Sequence, residues 1–287
     1  MKSILKWLGI VAGALVAVVL VAVVYVFVAS EHVVARTYDV GLTNFAAPHD
    51  ADAIRRGERL AAISGCTGCH GAELQGTVMF DEPNVARVNA PNLTQLVRQY
   101  SDPELERVLR HGVKPDGTSV WIMPSAMFSH FTDEDLGALI AYLRSLPERP
   151  GVGRERTLRT FGRIGIVTEK FKPVAPEAAA AAPRQTPDYS DVMSHGRYLV
   201  MTACTECHGE KLQGFDFAHA PNLIVAGAYS DADFARLMRT GVGLGDRNLG
   251  LMSEAARARF AKFSDTEVQA IRTYLNEYVK QGGSSPP

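Results

Sequence analysis

The sequence predicts an all-α protein: an amino-terminal transmembrane helix followed by two duplicated helical domains joined by an extended linker. Three observations carry this prediction. Leu8 to Ala29 is an uncharged run, a heptapeptide at His70–Gly76 recurs at His208–Gly214, and apolar residues fall at helical spacing on both sides of each copy. At 1.5 Å per residue the uncharged run extends about 33 Å, enough for a hydrocarbon core of about 30 Å. Lys2 and Lys6 precede it and Glu31 follows it, so the positive-inside rule keeps the amino terminus in the cytoplasm and exports the remainder. A cleaved signal peptide has a shorter apolar region and a small-x-small site, of which Val28-Ala29-Ser30 is a poor version, so an uncleaved anchor is expected.

The duplication sets the domain plan. Gly57-Glu58-Arg59-Leu60 answers to Gly196-Arg197-Tyr198-Leu199, Ala90-Pro91-Asn92-Leu93 to Ala220-Pro221-Asn222-Leu223, and Arg110-His111-Gly112 to Arg239-Thr240-Gly241. A period this long means two domains, because a solenoid repeats every 20 to 50 residues. The expected boundaries are 1–30 for the anchor, 31–147 for the first domain, 148–187 for the linker and 188–287 for the second domain. Helices are predicted over Asp52–Ile63 and Asp188–Thr202. Thr132 and Ser264, each followed by acidic residues, mark the amino ends of the closing helices, and Ser101 and Ser230 cap shorter ones.

Residues 151–187 carry seven basic and three acidic residues, then a Pro/Ala-rich stretch, and read first as a solvated linker. The other reading pairs its arginines with an acidic surface or with cofactor carboxylates. Composition excludes two broad classes. With 46% hydrophobic residues and a net charge of -1, the chain is neither disordered nor basic enough for a nucleic-acid binder.

All four cysteines fall in Cys66-x-x-Cys69-His70 and Cys204-x-x-Cys207-His208. Cys-x-x-Cys-His is a c-type haem attachment signature. Two thiols three positions apart on one helical turn can each bond a porphyrin vinyl group, and the adjacent histidine faces the iron. A zinc site needs four ligands and lacks further cysteines, and a thioredoxin-like pair needs a strand-to-helix junction that is not predicted. Two covalently attached haem c groups are therefore expected.

On these residues both units resemble class I cytochrome c domains, and the whole resembles a membrane-anchored dihaem cytochrome c. The resemblance covers roughly Asp50–Pro147 and Asp188–Gln281. It implies close packing of Gly57 on Tyr142 and of Gly196 on Tyr274. It also implies hydrogen bonds from His70 and His208 to the carbonyls of Pro91 and Pro221. The sixth ligand is usually a methionine before the last helix. Met123, which precedes Pro124, is favoured over Met127, and Met252 is the candidate loop methionine of the second unit. Met193, Met201 and Met238 read as helix core and Met79 as packing. The remaining histidines, His32, His49, His111, His130, His195 and His219, read as surface or capping residues.

Histidine–methionine ligation raises the potential and leaves no open iron position, which implies electron transfer rather than catalysis. The expected donor is a dehydrogenase or other quinol-oxidising protein, and the expected acceptor a soluble cytochrome or an oxidase. The chain is expected in the bacterial inner membrane as a single-pass protein with its haem domains on the periplasmic side. The alternatives are a dihaem redox enzyme of peroxidase or thiosulfate-oxidising type and a fixed subunit of a respiratory or photosynthetic complex. The spacing from His to Pro, 21 positions in one unit and 13 in the other, implies unequal haem environments.

Overall fold

A computed structural model describes residues 2–215 and 219–283. The first helix, α1 (Lys2–Val34), projects from the domains over all but its last turns, with valines and leucines exposed on every side of the projecting part. Such a surface has no polar face to turn toward water, which is the character of a bilayer span.

The first domain contains α2 (Ala51–Ile63), α3 (Cys66–His70), the strands β1 (Thr77–Glu82) and β2 (Ala86–Ala90), and α4 (Leu93–Leu96). The helices α5 (Asp102–His111), α6 (Ser125–Ser129) and α7 (Asp133–Ser145) complete it. Asp50 caps α2 and Thr132 caps α7 through side-chain oxygens, and Ser101 with Glu104 forms a capping box at α5, with Pro103 in its first turn. α5 stops at Gly112, whose φ of 66° places it in the left-handed region. The core gathers Leu105, Leu109, Met127, Phe131, Leu136, Leu139, Ile140 and Leu143.

The α2–α7 crossing depends on Gly57. A Cβ there would lie 1.9 Å from the Ala138 carbonyl oxygen and 2.8 Å from the Tyr142 Cβ. The second domain repeats the arrangement with α10 (Val192–Ala203), α11 (Thr205–His208), α12 (Asp231–Thr240), α13 (Leu251–Ala258) and α14 (Asp265–Lys280). A Cβ on Gly196 would meet the Ala270 carbonyl oxygen at 2.1 Å. Here the core holds Leu199, Val200, Phe234, Met238, Ile271, Tyr274, Leu275 and Tyr278, and Ile63 of the first domain joins it.

Two features depart from the all-helical expectation. The residues that lengthen the first unit between His70 and Pro91 form an antiparallel hairpin, with Thr77 opposite Ala90 and Glu82 opposite Ala86. Met79, expected as packing, is exposed on its first strand. The connecting segment, expected to be solvated, is laid over the first domain instead. Its strand β3 (Arg156–Leu158) adds to β2 in antiparallel register, and α8 (Thr160–Val167) packs on α1. The next helix, α9 (Ala175–Ala180), packs on α5 and α6 and buries Ala175 and Ala178. Backbone pairing explains the docking: Val152 N–H donates to the Gln75 carbonyl at 2.9 Å, and its own carbonyl accepts from Asn92 N–H at 2.9 Å. The arginines follow the second reading of their charge, pairing with Glu73, Asp81 and Glu31 on the acidic first domain.

Candidate functional site

Each Cys-x-x-Cys-His segment forms a short helix continuing from a long one. The repeated heptapeptide then turns the chain back through the same backbone in both copies. Gly71, Leu74 and Gly76 have φ of 87°, 58° and 84°, and Gly209, Leu212 and Gly214 have 73°, 58° and 94°. A leucine in the left-handed region is strained, and it persists because each one is fully buried. Gly76 N–H closes the turn on the His70 carbonyl at 2.7 Å, and Gly214 N–H does so on His208 at 2.9 Å. The Leu74 and Leu212 carbonyls accept from Leu93 and Leu223 N–H at 2.8 Å, tying each heptapeptide to its Ala-Pro-Asn-Leu segment.

That tie delivers the proline carbonyl to the histidine. His70 Nδ1 lies 2.8 Å from the Pro91 oxygen, and His208 Nδ1 lies 2.8 Å from the Pro221 oxygen. A carbonyl only accepts, so Nδ1 carries the proton in each ring and Nε2 keeps its lone pair for a metal. Burial lowers the pKa of both imidazoles, while the bond to the proline carbonyl works in the opposite direction. The four thiols are unpaired, and burial pushes Cys66 and Cys204 up to about 12. A neutral thioether sulfur suits such a place better than a thiolate.

Met123 is half-buried in the turn before α6 and packs on the first core, whereas Met127 lies inside α6 at 1% exposure. Met252, expected in a loop, opens α13 and packs on the second core. The loops before the closing helices are held by the duplicated arginines. Arg110 donates to the Phe131 carbonyl at 2.6 Å and to Asp133 at 2.8 Å, and Arg239 donates to the Phe263 carbonyl and to Asp265. Met193 is half-buried and Met201 and Met238 fill the second core, in keeping with their helical positions.

The histidines divide. His32, His49 and His219 are exposed, and His111 ends α5 half-buried. His195, expected as a surface or capping residue, lies half-buried within α10 against Tyr189. His130 is not a surface residue. It is buried, with Nε2 2.8 Å from the Glu210 carboxylate of the other domain.

No local pattern in the sequence signals the contact between the two attachment segments. Arg259 donates from Nε to the Ile63 carbonyl at 2.7 Å and from Nη1 to Glu206, between the second pair of cysteines, at 2.7 Å. Its guanidinium lies on Gly65, where a Cβ would meet Cζ at 2.9 Å. Its charge acts on all four thiols, so both attachment segments flank one guanidinium. Around this point, Tyr198 donates to the buried Asp135, which also accepts from Arg56, and Arg59 reaches Glu267.

These residues fit haem c in chemistry: thiols at the required spacing, a neutral imidazole with Nε2 free, and a carbonyl that sets its tautomer. Buried Trp121 Nε1 and the Tyr274 hydroxyl are without hydrogen-bond partners among the described residues.

Comparison with known proteins agrees with this chemistry. The family described as Cytochrome c matches residues 54–147 and 193–278. The fructose dehydrogenase cytochrome subunit of Gluconobacter japonicus is 28% identical over 251 residues, which is 77% of this chain and 52% of that protein. The cytochrome c subunit of alcohol dehydrogenase (quinone) from Gluconacetobacter polyoxogenes is 29% identical over 229 residues, 71% of this chain and 47% of that protein. The gluconate 2-dehydrogenase cytochrome c subunit of Pantoea cypripedii is 26% identical over 283 residues, 82% of this chain and 63% of that protein. The chain spans about half the length of the first two.

Proposed function

Because the chain belongs to the cytochrome c family and carries two covalently attached haem c groups, we propose that it is a membrane-tethered relay for single electrons, with a dehydrogenase as donor. The carrying observation is the common guanidinium of Arg259 between the two attachment segments, which joins the two domains at the sites of their cofactors. Bound haem supplies a one-electron iron couple. Cys66 and Cys69, and Cys204 and Cys207, would hold the two groups, and His70 and His208 would each supply an iron ligand. Met123 and Met252 would supply the second iron ligands, which would leave no position for a substrate.

In this reading the anchor is 1–30, the domains are 31–147 and 188–287, and residues 148–187 connect them. The anchor crosses the bacterial inner membrane once and leaves both haem domains in the periplasm. The dehydrogenase donor is supported by the relatives, which are named as cytochrome subunits of fructose, alcohol and gluconate dehydrogenases. The acceptor in this reading is a soluble cytochrome or an oxidase.

Carbon monoxide separates a relay from a dihaem enzyme with an open iron. The reduced holoprotein is expected to bind it at neither haem on the time scale of mixing; rapid binding at one haem would overturn the relay.

A further inference from the structure

The anchor does not end in free chain. Phe27 and Ser30 lie at the close of the uncharged run, a level at which a span of about 33 Å leaves a core of about 30 Å. At this level α8 is docked on α1. The Arg163 guanidinium sits 3.9 Å from the centre of the Phe27 ring and donates to Ser30 Oγ at 2.8 Å and to Glu31 at 3.0 Å. Ser30 is fully buried by this contact. From the same short helix Phe161 and Ile164, three positions apart and so on one face, are 61% and 37% exposed. The hairpin extends the apolar surface. Asn84 and Val85 carbonyls accept from Phe161 and Arg159 N–H at 2.9 and 3.0 Å, and Val85 is itself exposed. Arg36, just beyond α1 in the chain, and Lys170, just beyond α8, are exposed cations.

We infer that α8 and the hairpin tip form a platform that rests in the headgroup and acyl boundary of the bilayer crossed by α1, with Phe161, Ile164 and Val85 in the boundary and Arg36 and Lys170 toward lipid phosphates. The occupant is lipid because this apolar face continues directly from the span: α8 is held against the last turns of α1, at the depth where a short apolar face with basic neighbours partitions into the interface. A rigid second contact also changes what the tether does. One helix alone leaves the domains free to swing, whereas two contacts fix the height and tilt of the first domain for its redox partners.

The inference rests on α1 crossing the bilayer, and the test separates the two. The full-length holoprotein, in vesicles of phosphatidylethanolamine and phosphatidylglycerol, carries a benzoylphenylalanine photocrosslinker in place of Phe161 or, in a second variant, of Leu20. After irradiation the peptides are examined by mass for lipid adducts. Adducts at both positions, with yields within severalfold of each other, are expected. Adducts at Leu20 with loss of the adduct at Phe161 would overturn the platform while leaving the span intact. Absence at both would overturn the span and the platform with it. Phe161 is exposed, so its replacement leaves the fold undisturbed.

Discussion

The Pro91 and Pro221 carbonyls decide which nitrogen of His70 and His208 keeps a lone pair free for a metal, through bonds of 2.8 Å. The same scale decides the opposite ligand in the first domain. Met123→Ala is expected to abolish the methionine–iron charge-transfer absorption of one haem, lower its midpoint potential and open it to carbon monoxide. Met127→Ala, in the core, should keep the absorption and cost about 2–5 kcal/mol of stability in denaturant unfolding. The opposite pattern would move the ligand to Met127. The proposed attachment residues are legible because that chemistry is written in five contiguous positions and duplicated. Arg259 is not, because its partners Ile63 and Glu206 stand 196 and 53 positions away and nothing local distinguishes it from a solvated arginine.

Among the elements, the long helices were legible from their periodicity and caps, and the close approach of α2 to α7 and of α10 to α14 from a glycine opposite a tyrosine. Gly196→Ala places a methyl 2.1 Å from the Ala270 carbonyl. The helices have to move apart, and a loss of about 1–3 kcal/mol or more is expected in thermal or denaturant unfolding. An unchanged midpoint would show that the crossing is looser than described. Another shared device was hidden by its register. Arg144 donates to the Val97 and Tyr100 carbonyls and to Asp102, and Arg272 donates to those of Ala226 and Tyr229 and to Asp231. The carboxylates occupy matching positions, but Arg144 follows Tyr142 by two residues whereas Arg272 precedes Tyr274 by two, so the arginines lie a helical turn apart and the alignment of the units misses them. The hairpin escaped notice because Thr77–Ala90 mixes charge and β-branched residues without a steady alternation.

For the whole molecule, the sequence separates anchor, domains and connection, but not how they meet. The arginines of the connection looked solvated because their acidic partners lie in the domain before it or at the end of α1. Across the interface Glu267 caps α14 and accepts from Arg59 of the first domain. Burial works to raise its pKa, but the hydrogen bonds from Arg59 and Ser264 outweigh burial and hold it below the usual glutamate range. Its contribution is therefore complete above about 4.3 and is lost as pH falls through the lowered folded value. As pH falls below about 4.3, Glu267→Gln is expected to flatten the acid side of the stability profile measured by denaturant unfolding; an unaltered profile would remove Glu267 from the interface balance.

The central claim is that two haem domains joined at their attachment segments act as one conductor. Flash reduction of the isolated, fully oxidised holoprotein by a substoichiometric one-electron donor, followed at wavelengths that distinguish the two haems, tests it most directly. The account predicts that the electron first taken by one haem redistributes to the other at a rate independent of protein concentration. Redistribution whose rate rises in proportion to concentration would show that the domains exchange electrons only between molecules, and would contradict it.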